Sequence, residues 1–330
     1  HLIRTANEGL ASARNTGMAA ATGEIVAYID VDARPERHWL VYLAITFTTT
    51  SDAAVGGPNI APTGAGGVAD SVDRAPGGPI HVLVSDREAE HIPGCNMAIR
   101  KDCLEAIGGF DPRFRVAGDD VDICWRIHER GWTIGFSPAA MVWHQPRNSV
   151  RAYYKQQFGY GKAEALLERK WPQKYNRGGQ PSWSGRIYGT GAARSQRWRI
   201  YYGTWGSSLF QSVYDRAPGT LASLPLMPEW YLLIALFAAT SVFGLVWEPF
   251  FFETPLLGSP VALIALGVVV AALAARAARG AWLAQRHLPG PRRTRLRPLA
   301  VTTLLHLAQP LARLTGRPRQ GLTPWRRRTR

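Results

Sequence analysis

Two uncharged apolar runs constrain this chain more than any other feature: Trp230 to Trp247, eighteen residues, and Pro255 to Ala275, twenty-one. A bilayer core takes about 20 helical residues to cross, and its backbone groups must bond within the segment. Glu248 to Thr254, between the runs, holds two Glu and no basic residue, whereas arginines crowd the chain from Arg276 onward. Basic residues stay on the cytoplasmic side. Residues 230–275 therefore read as an all-α transmembrane hairpin with both ends inside, and Trp230, Tyr231 and Trp247 sit at the interfaces. The alternative is a pair of buried helices in a soluble domain. Pro260, inside the second run, is expected to shorten or kink its helix.

The net charge of +15 comes from 39 basic and 24 acidic residues. Fourteen arginines lie in 276–330, which has no Asp or Glu, so 25 basic face 24 acidic residues in 1–275. Basicity belongs to a cytoplasmic tail, 276–330, suited to anionic membrane lipids. Within it, Leu299 to Ala312 is too short to span and is expected to lie on the membrane surface, its flanking arginines facing phosphates. Cys95, Cys103 and Cys124 lack C-x-x-C spacing, which argues against a zinc ribbon or disulfide framework and fits a reducing compartment. An apolar content of 46% supports a sizeable core.

Residues 1–175 alternate helical and extended patterns, as an α/β domain does. Helices are predicted over Gly9–Ala21, Pro35–Phe47, Asp102–Ile107, Asp119–Arg130 and Ser149–Lys170. Strands are predicted over Glu24–Asp30, Ala53–Gly57, Asn96–Arg100, Thr133–Phe136 and Met141–Trp143, and Pro58–Pro79 reads as a Gly/Pro-rich loop. Residues 176–229 show no clear period and read as an irregular membrane-proximal segment.

Asp30 and Asp32 close an apolar strand, and residues i and i+2 of an extended chain point the same way. Open α/β sheets bind ligands at such strand exits. Two close carboxylates repel unless a cation or a proton intervenes, so the pair could hold a divalent ion, or simply cap the following helix. Asp119, Asp120 and Asp122 open a predicted helix, where acidic residues commonly cap N–H groups; one could instead serve as a general base. His144 could be a metal ligand or a half-buried histidine. Gln156, Gln157, Tyr160 and Lys162, with Tyr153 and Tyr154, could bind sugar hydroxyls or form the wet side of an amphipathic helix.

The order of these pieces is more specific than any one of them. Asn7–Gly17 (NEGLASARNTG), Ala21–Asp32 (ATGEIVAYIDVD), Pro93–Arg100 (PGCNMAIR), Gly108–Asp111 (GGFD) and Gly118–Arg126 (GDDVDICWR) together resemble the family 2 glycosyltransferases over about residues 3–170. The resemblance implies a GT-A-like (Rossmann-like) mixed sheet with flanking helices, a nucleotide-diphospho-sugar donor, Mg²⁺ or Mn²⁺, and inversion at the anomeric carbon. It implies that Asp30 contacts the ribose or metal-bound water, and that Asp32, with His144, ligates the metal. Arg14 and Asn15 would line the nucleotide side, and Asn96 would lie near the acceptor pocket. Asp120 would be the base, Asp119 standing where Glu is commoner. Gln156 and Gln157 are the remaining substrate-binding candidates. A glycan or lipid-linked acceptor is expected, and lipid headgroups rather than nucleic acid for the arginines.

Family members begin with a β-α-β stretch before the point where His1 stands, so the chain is expected to be N-terminally truncated. Gln156-Gln157-Phe-Gly-Tyr160 lacks the Arg-Trp end of the Q-x-x-R-W motif of processive synthases, so transfer of one or a few sugars is expected. A sugar nucleotidyltransferase, or a non-catalytic basic protein binding membrane surfaces, are the rival readings.

Overall fold

Val26 and Tyr28 are buried while their neighbours on β1 (Ile25–Ile29) are more exposed, the period-2 pattern of a strand with one face on a core. β1 follows α1 (Leu10–Ala20) and leads into β2 (Ala33–Pro35), α2 (Trp39–Thr49), β3 (Ala54–Gly56), β4 (Asn59–Ile60) and α3 (Gly67–Asp73). Then come β5 (Val82–Leu83), β6 (Glu88–His91), β7 (Asn96–Arg100), α4 (Lys101–Ala106), α5 (Asp119–Glu129), β8 (Ile134–Phe136), β9 (Val142–His144) and α6 (Val150–Lys170). The C-terminal helices are α7 (Trp230–Phe251), α8 (Gly258–Gln285) and α9 (Leu296–Gly316). This computed structural model describes residues 1–62, 64, 66–175, 181, 183, 224–251, 258–285 and 296–321. The expected irregular segment is therefore described only at 181, 183 and 224–229.

Six strands form a mixed sheet in the order β1-β7-β3-β8-β6-β5, and β2-β9-β4 form a second, three-stranded sheet. β7 is central: β1 and β3 flank it, both antiparallel, and β3 continues to β8 in parallel. Alternation along β7 and β3 sends side chains to two cores. Met97, Ile99 and Ala54 join Ala11 of α1, Leu104 of α4 and Ile123, Cys124 and Ile127 of α5. Ala98 and Val55 instead meet Trp39, Leu43 and Phe47 of α2 and Val142 of β9. A mixed sheet with helices on both faces is the GT-A-like architecture expected. The Pro58–Pro79 loop contains β4 and α3, and β5 and β6 were not foreseen: these pieces are too short for periodicity to reveal.

The two apolar runs fall on α7 and α8, which pack along one another. Pro260 is the third residue of α8, where the N–H it lacks would have no helical partner anyway, so neither a shortening nor a kink results. Among the described residues one helical span, Pro260–Gln285, is long and apolar enough to cross a membrane; the apolar run Trp230–Val246 of α7 is shorter. Only 17% of the apolar window in that span is buried, and Ile264 and Val268 are largely exposed. A core helix of a soluble domain would be mostly covered.

α9 corrects the expectation of a surface-lying segment. It packs against both α6 and α8, and its Leu305 is fully buried with Val72 of α3 and Tyr153 of α6. Its crossing with α6 is made by glycines. A Cβ on Gly161 would lie 2.3 Å from the Arg313 carbonyl oxygen, and one on Gly316 the same distance from that of Phe158. Arg313 and Arg317, expected to face phosphates, turn inward: Arg313 Nη1 is 2.6 Å from Glu164 Oε1, and Arg317 lies 2.8 Å from Glu164 Oε2 and 2.6 Å from Glu229 Oε1.

Candidate active site

The turn after β1 is closed by the Ala33 N–H donating to the Asp30 carbonyl at 2.9 Å. β2 then pairs antiparallel with β9, setting Ala33 opposite His144. That register brings a residue more than a hundred positions downstream against the Asp-Val-Asp turn. His144 Nε2 lies 3.4 Å from Asp32 Oδ1 and 3.8 Å from Asp30 Oδ2. Arg147 Nη1 holds the other Asp32 oxygen at 2.9 Å.

Across the cleft, α5 begins after Gly118, and no side chain caps it. The acidic residues there are occupied otherwise. Asp119 is 1% exposed and ion-paired with Arg14, whose other terminal nitrogen is 3.5 Å from Asp30 Oδ1. Burial outweighs Arg14 and pushes the Asp119 carboxyl up, to about 6. Asp120 keeps 24% of its side chain exposed. Burial pushes its pKa up as well, but His91 in its protonated form, the Arg14 charge and the Gly94 N–H outweigh burial and lower it. That N–H donates to Asp120 Oδ2 at 3.2 Å.

Asp30, Asp32, Asp119, Asp120, Arg14 and His144 all line one hollow of about 1200 Å³. Two carboxylate groups thus face each other across it, with Arg14 as the cation between them. Gln156 also lines the hollow.

Three other expected site residues point elsewhere. Asn15 spends both ends of its amide on the Phe110 backbone, donating to the carbonyl and accepting from the N–H, each at 2.7 Å. Asn96 is fully buried; it accepts from Trp39 Nε1 at 2.9 Å and donates to the Pro58 and Ala140 carbonyls. Gln157 donates to the Gly77 carbonyl at 3.1 Å and accepts from Arg313 Nε at 3.2 Å. None of the three is among the residues lining the hollow. Each satisfies buried backbone groups that would otherwise be costly, so their place is in the scaffold.

Sequence reading missed His91, Cys95 and Arg147. Nothing marks His91 or Arg147 locally, and Cys95 was weighed only for disulfides and zinc ribbons. Asp30, Cys95 and His144 each offer one ligand atom, all within 4.8 Å of one another. Carboxylate oxygens from the Asp30/Asp32 turn with the His144 imidazole form a donor set that fits Mg²⁺ or Mn²⁺, while the Cys95 thiol adds a softer atom.

Residues 1–160 match the family described as Glycosyltransferase like family 2. The pre-mycofactocin glycosyltransferase of Mycobacterium tuberculosis is 31% identical over 201 residues, covering 57% of this chain and 42% of that protein. Glycosyltransferase AglE of Haloferax volcanii is 30% identical over 166 residues, 49% of this chain and 53% of its own. The glucosyl-dolichyl phosphate glucuronosyltransferase of the same organism is 26% identical over 189 residues, 51% and 58% respectively. The chain thus spans about half the length of these curated relatives. Among solved structures, the mannosyltransferase PcManGT from Pyrobaculum calidifontis, in complex with GDP-Man and Mn²⁺, is 18% identical and covers 91% of this chain and 66% of that one. Its TM-score of 0.38 is too low to carry an inference. The ordered motifs, the mixed sheet and the family match all fall on one segment, residues 1–160, and it is this segment that is similar to glycosyltransferase family 2.

Proposed function

We propose that the protein transfers a sugar, with inversion, from a nucleotide-diphospho-sugar to a hydroxyl of a membrane-associated glycan or lipid-linked acceptor. The observation that carries this reading is the single hollow shared by the Asp30/Asp32 turn and Asp120. A donor diphosphate has a cationic and metal-binding wall on one side of it, and an acceptor hydroxyl has an ionised carboxylate on the other.

Asp120 takes the proton of the acceptor hydroxyl while that oxygen attacks C1 from the face opposite the diphosphate. Gly94 N–H holds the carboxylate in place. Arg14, buried between Asp30 and Asp119, places a fixed positive charge beside the departing phosphates. Asp32 and His144 would hold Mg²⁺ or Mn²⁺, which when bound supplies charge to offset that on the leaving diphosphate. Asp119 fixes Arg14 rather than meeting the acceptor.

A lipid-linked acceptor is favoured by the exposed apolar surface of α8 and by the glucosyl-dolichyl phosphate named for one relative. In this reading α7 and α8 anchor the protein, the α/β domain faces the cytoplasm, and the arginines outside the α9 ion pairs meet anionic lipids.

The test is metal-dependent release of nucleoside diphosphate from a panel of donors, alongside equilibrium donor binding. Asp32→Ala should weaken donor binding in Mn²⁺ by at least about tenfold, through lost metal affinity. Unchanged binding would remove Asp32 from the donor site.

Gly94 provides a second check. A Cβ there would sit 2.2–2.6 Å from the Arg14 guanidinium atoms, so Gly94→Ala should push Arg14 off Asp119. A displacement of about 1 Å at such a site costs on the order of 10²-fold. Turnover at saturating donor should fall by that much, and wild-type turnover would refute the contact.

A further inference from the structure

His91 ends β6 and is buried, yet the mechanism above uses it only as a neighbour. Its two ring nitrogens face unlike groups. Nδ1 lies 2.8 Å from the Ile80 carbonyl oxygen, which can only accept, so Nδ1 carries the ring proton. In the neutral ring Nε2 is then a bare lone pair. Among the described residues that atom is buried without a hydrogen-bond partner, and it stands 3.7 Å from Asp120 Oδ2, the oxygen held by Gly94. A lone pair aimed at a carboxylate is unfavourable until a proton comes between them.

The Trp183 ring packs on His91 with centroids 5.5 Å apart. His81 is buried against Phe136, and that burial pushes it down, to about 4, so it stays neutral at physiological pH. The charged groups nearest Asp120, Asp119 and Arg14, are paired with each other.

We propose that His91 receives the proton that Asp120 removes from the acceptor, restoring the base as a carboxylate before the products leave. This rests on the glycosyl-transfer reading above. In the first step the acceptor O–H bond breaks and its electron pair forms the O–C1 bond. The C1–O bond to the diphosphate breaks, its pair departs with the diphosphate, and the proton goes to Asp120 Oδ2. In the second step the Oδ2–H bond breaks towards Nε2, leaving aspartate and imidazolium, while Nδ1–H remains on the Ile80 carbonyl. The imidazolium passes its extra proton to water once the site opens. A small rotation of the carboxylate closes the 3.7 Å gap, as such contacts tighten when substrate binds.

Two measurements test this on the full chain in vesicles of phosphatidylethanolamine and phosphatidylglycerol. Imidazole ¹⁵N NMR of the wild type at pH 8 should show neutral His91 as the Nδ1–H tautomer; the Nε2–H tautomer would overturn the proposal whatever the acceptor. Turnover with Mn²⁺, a panel of UDP- and GDP-sugars and octyl glucoside should fall about 10–100-fold in His91→Gln, with donor KM within twofold of wild type. If His91→Gln folds poorly, His91→Ala with added imidazole should recover part of the rate. Wild-type kcat in His91→Gln, or no recovery by imidazole in a folded His91→Ala, would refute the relay. A wild type without transfer on any donor would sink the glycosyl-transfer reading and the relay together. An active wild type, an inactive Asp120→Asn and an unaltered His91→Gln would sink the relay alone.

Discussion

Asp120→Asn should lower turnover by about 10³-fold while leaving donor binding intact, which single-turnover kinetics and equilibrium donor binding would separate. The magnitude is that of removing a positioned general base. Donor binding survives because the amide oxygen of Asn can still accept from the Gly94 N–H, which lies 3.2 Å from Asp120 Oδ2. What is lost is the capacity to take a proton. Asp120 rather than its neighbour is the residue at issue because Asp119 is only 1% exposed and committed to Arg14, whereas 24% of the Asp120 side chain remains open to the hollow. Retained turnover in Asp120→Asn would move the base to another group.

Arg317→Met should destabilise the chain by about 3–5 kcal/mol, the cost of stripping a buried ion network of one partner. Arg317 is 3% exposed and contacts both Glu164 and Glu229, so its removal leaves two carboxylates with, among the described residues, Arg313 paired to one of them. Burial would push the Glu164 carboxyl up, but Arg317 and Arg313 outweigh it and hold it below the usual glutamate range. A depressed carboxylate contributes stability above its unfolded pKa and loses it as pH falls through the folded value. The penalty of Arg317→Met should therefore be largest near neutral pH and shrink on acidification. Unfolding in mild detergent would measure it, and Arg317→Met combined with Glu164→Gln and Glu229→Gln should recover most of the loss. A loss below about 1 kcal/mol in the single variant would mean that water reaches the network.

This network also reaches the cleft. Arg313 bonds Gln157, and Gln157 bonds the carbonyl of Gly77 at the rim of the hollow. The C-terminal helix is thereby tied through two side chains to the catalytic half of the molecule.

The legible part of this protein lay where local chemistry and local geometry coincide. A β-branched and apolar run ending in Asp-Val-Asp makes a strand with carboxylates at its exit in almost any α/β context, and Gly118 followed by acidic residues starts a helix. Those two readings matched the elements: Asp30 and Asp32 stand in the turn that follows β1, and Asp120 in the first turn of α5. Side-chain direction was not legible. Asn15, Asn96 and Gln157 stand in or beside motifs, yet each amide is spent on buried backbone groups supplied by segments 38 to 95 residues away. The arginines of α9 misled for a related reason. Counting charge along the tail cannot reveal Glu164 and Glu229, which meet it only after α6, α7 and α9 have packed.

The amino-acid sequence by itself determined the alternation of elements, the two carboxylate-bearing turns, the family resemblance of residues 1–160 and the apolar C-terminal helices, because each depends on residues near one another in the chain. Only the tertiary structure decided that His144 stands against the Asp-Val-Asp turn, that Arg14 joins the two acidic clusters, and that His91 backs Asp120. Those contacts are set by strand register and helix packing, where a shift of one residue turns a side chain to the opposite face and no local pattern records which face prevailed.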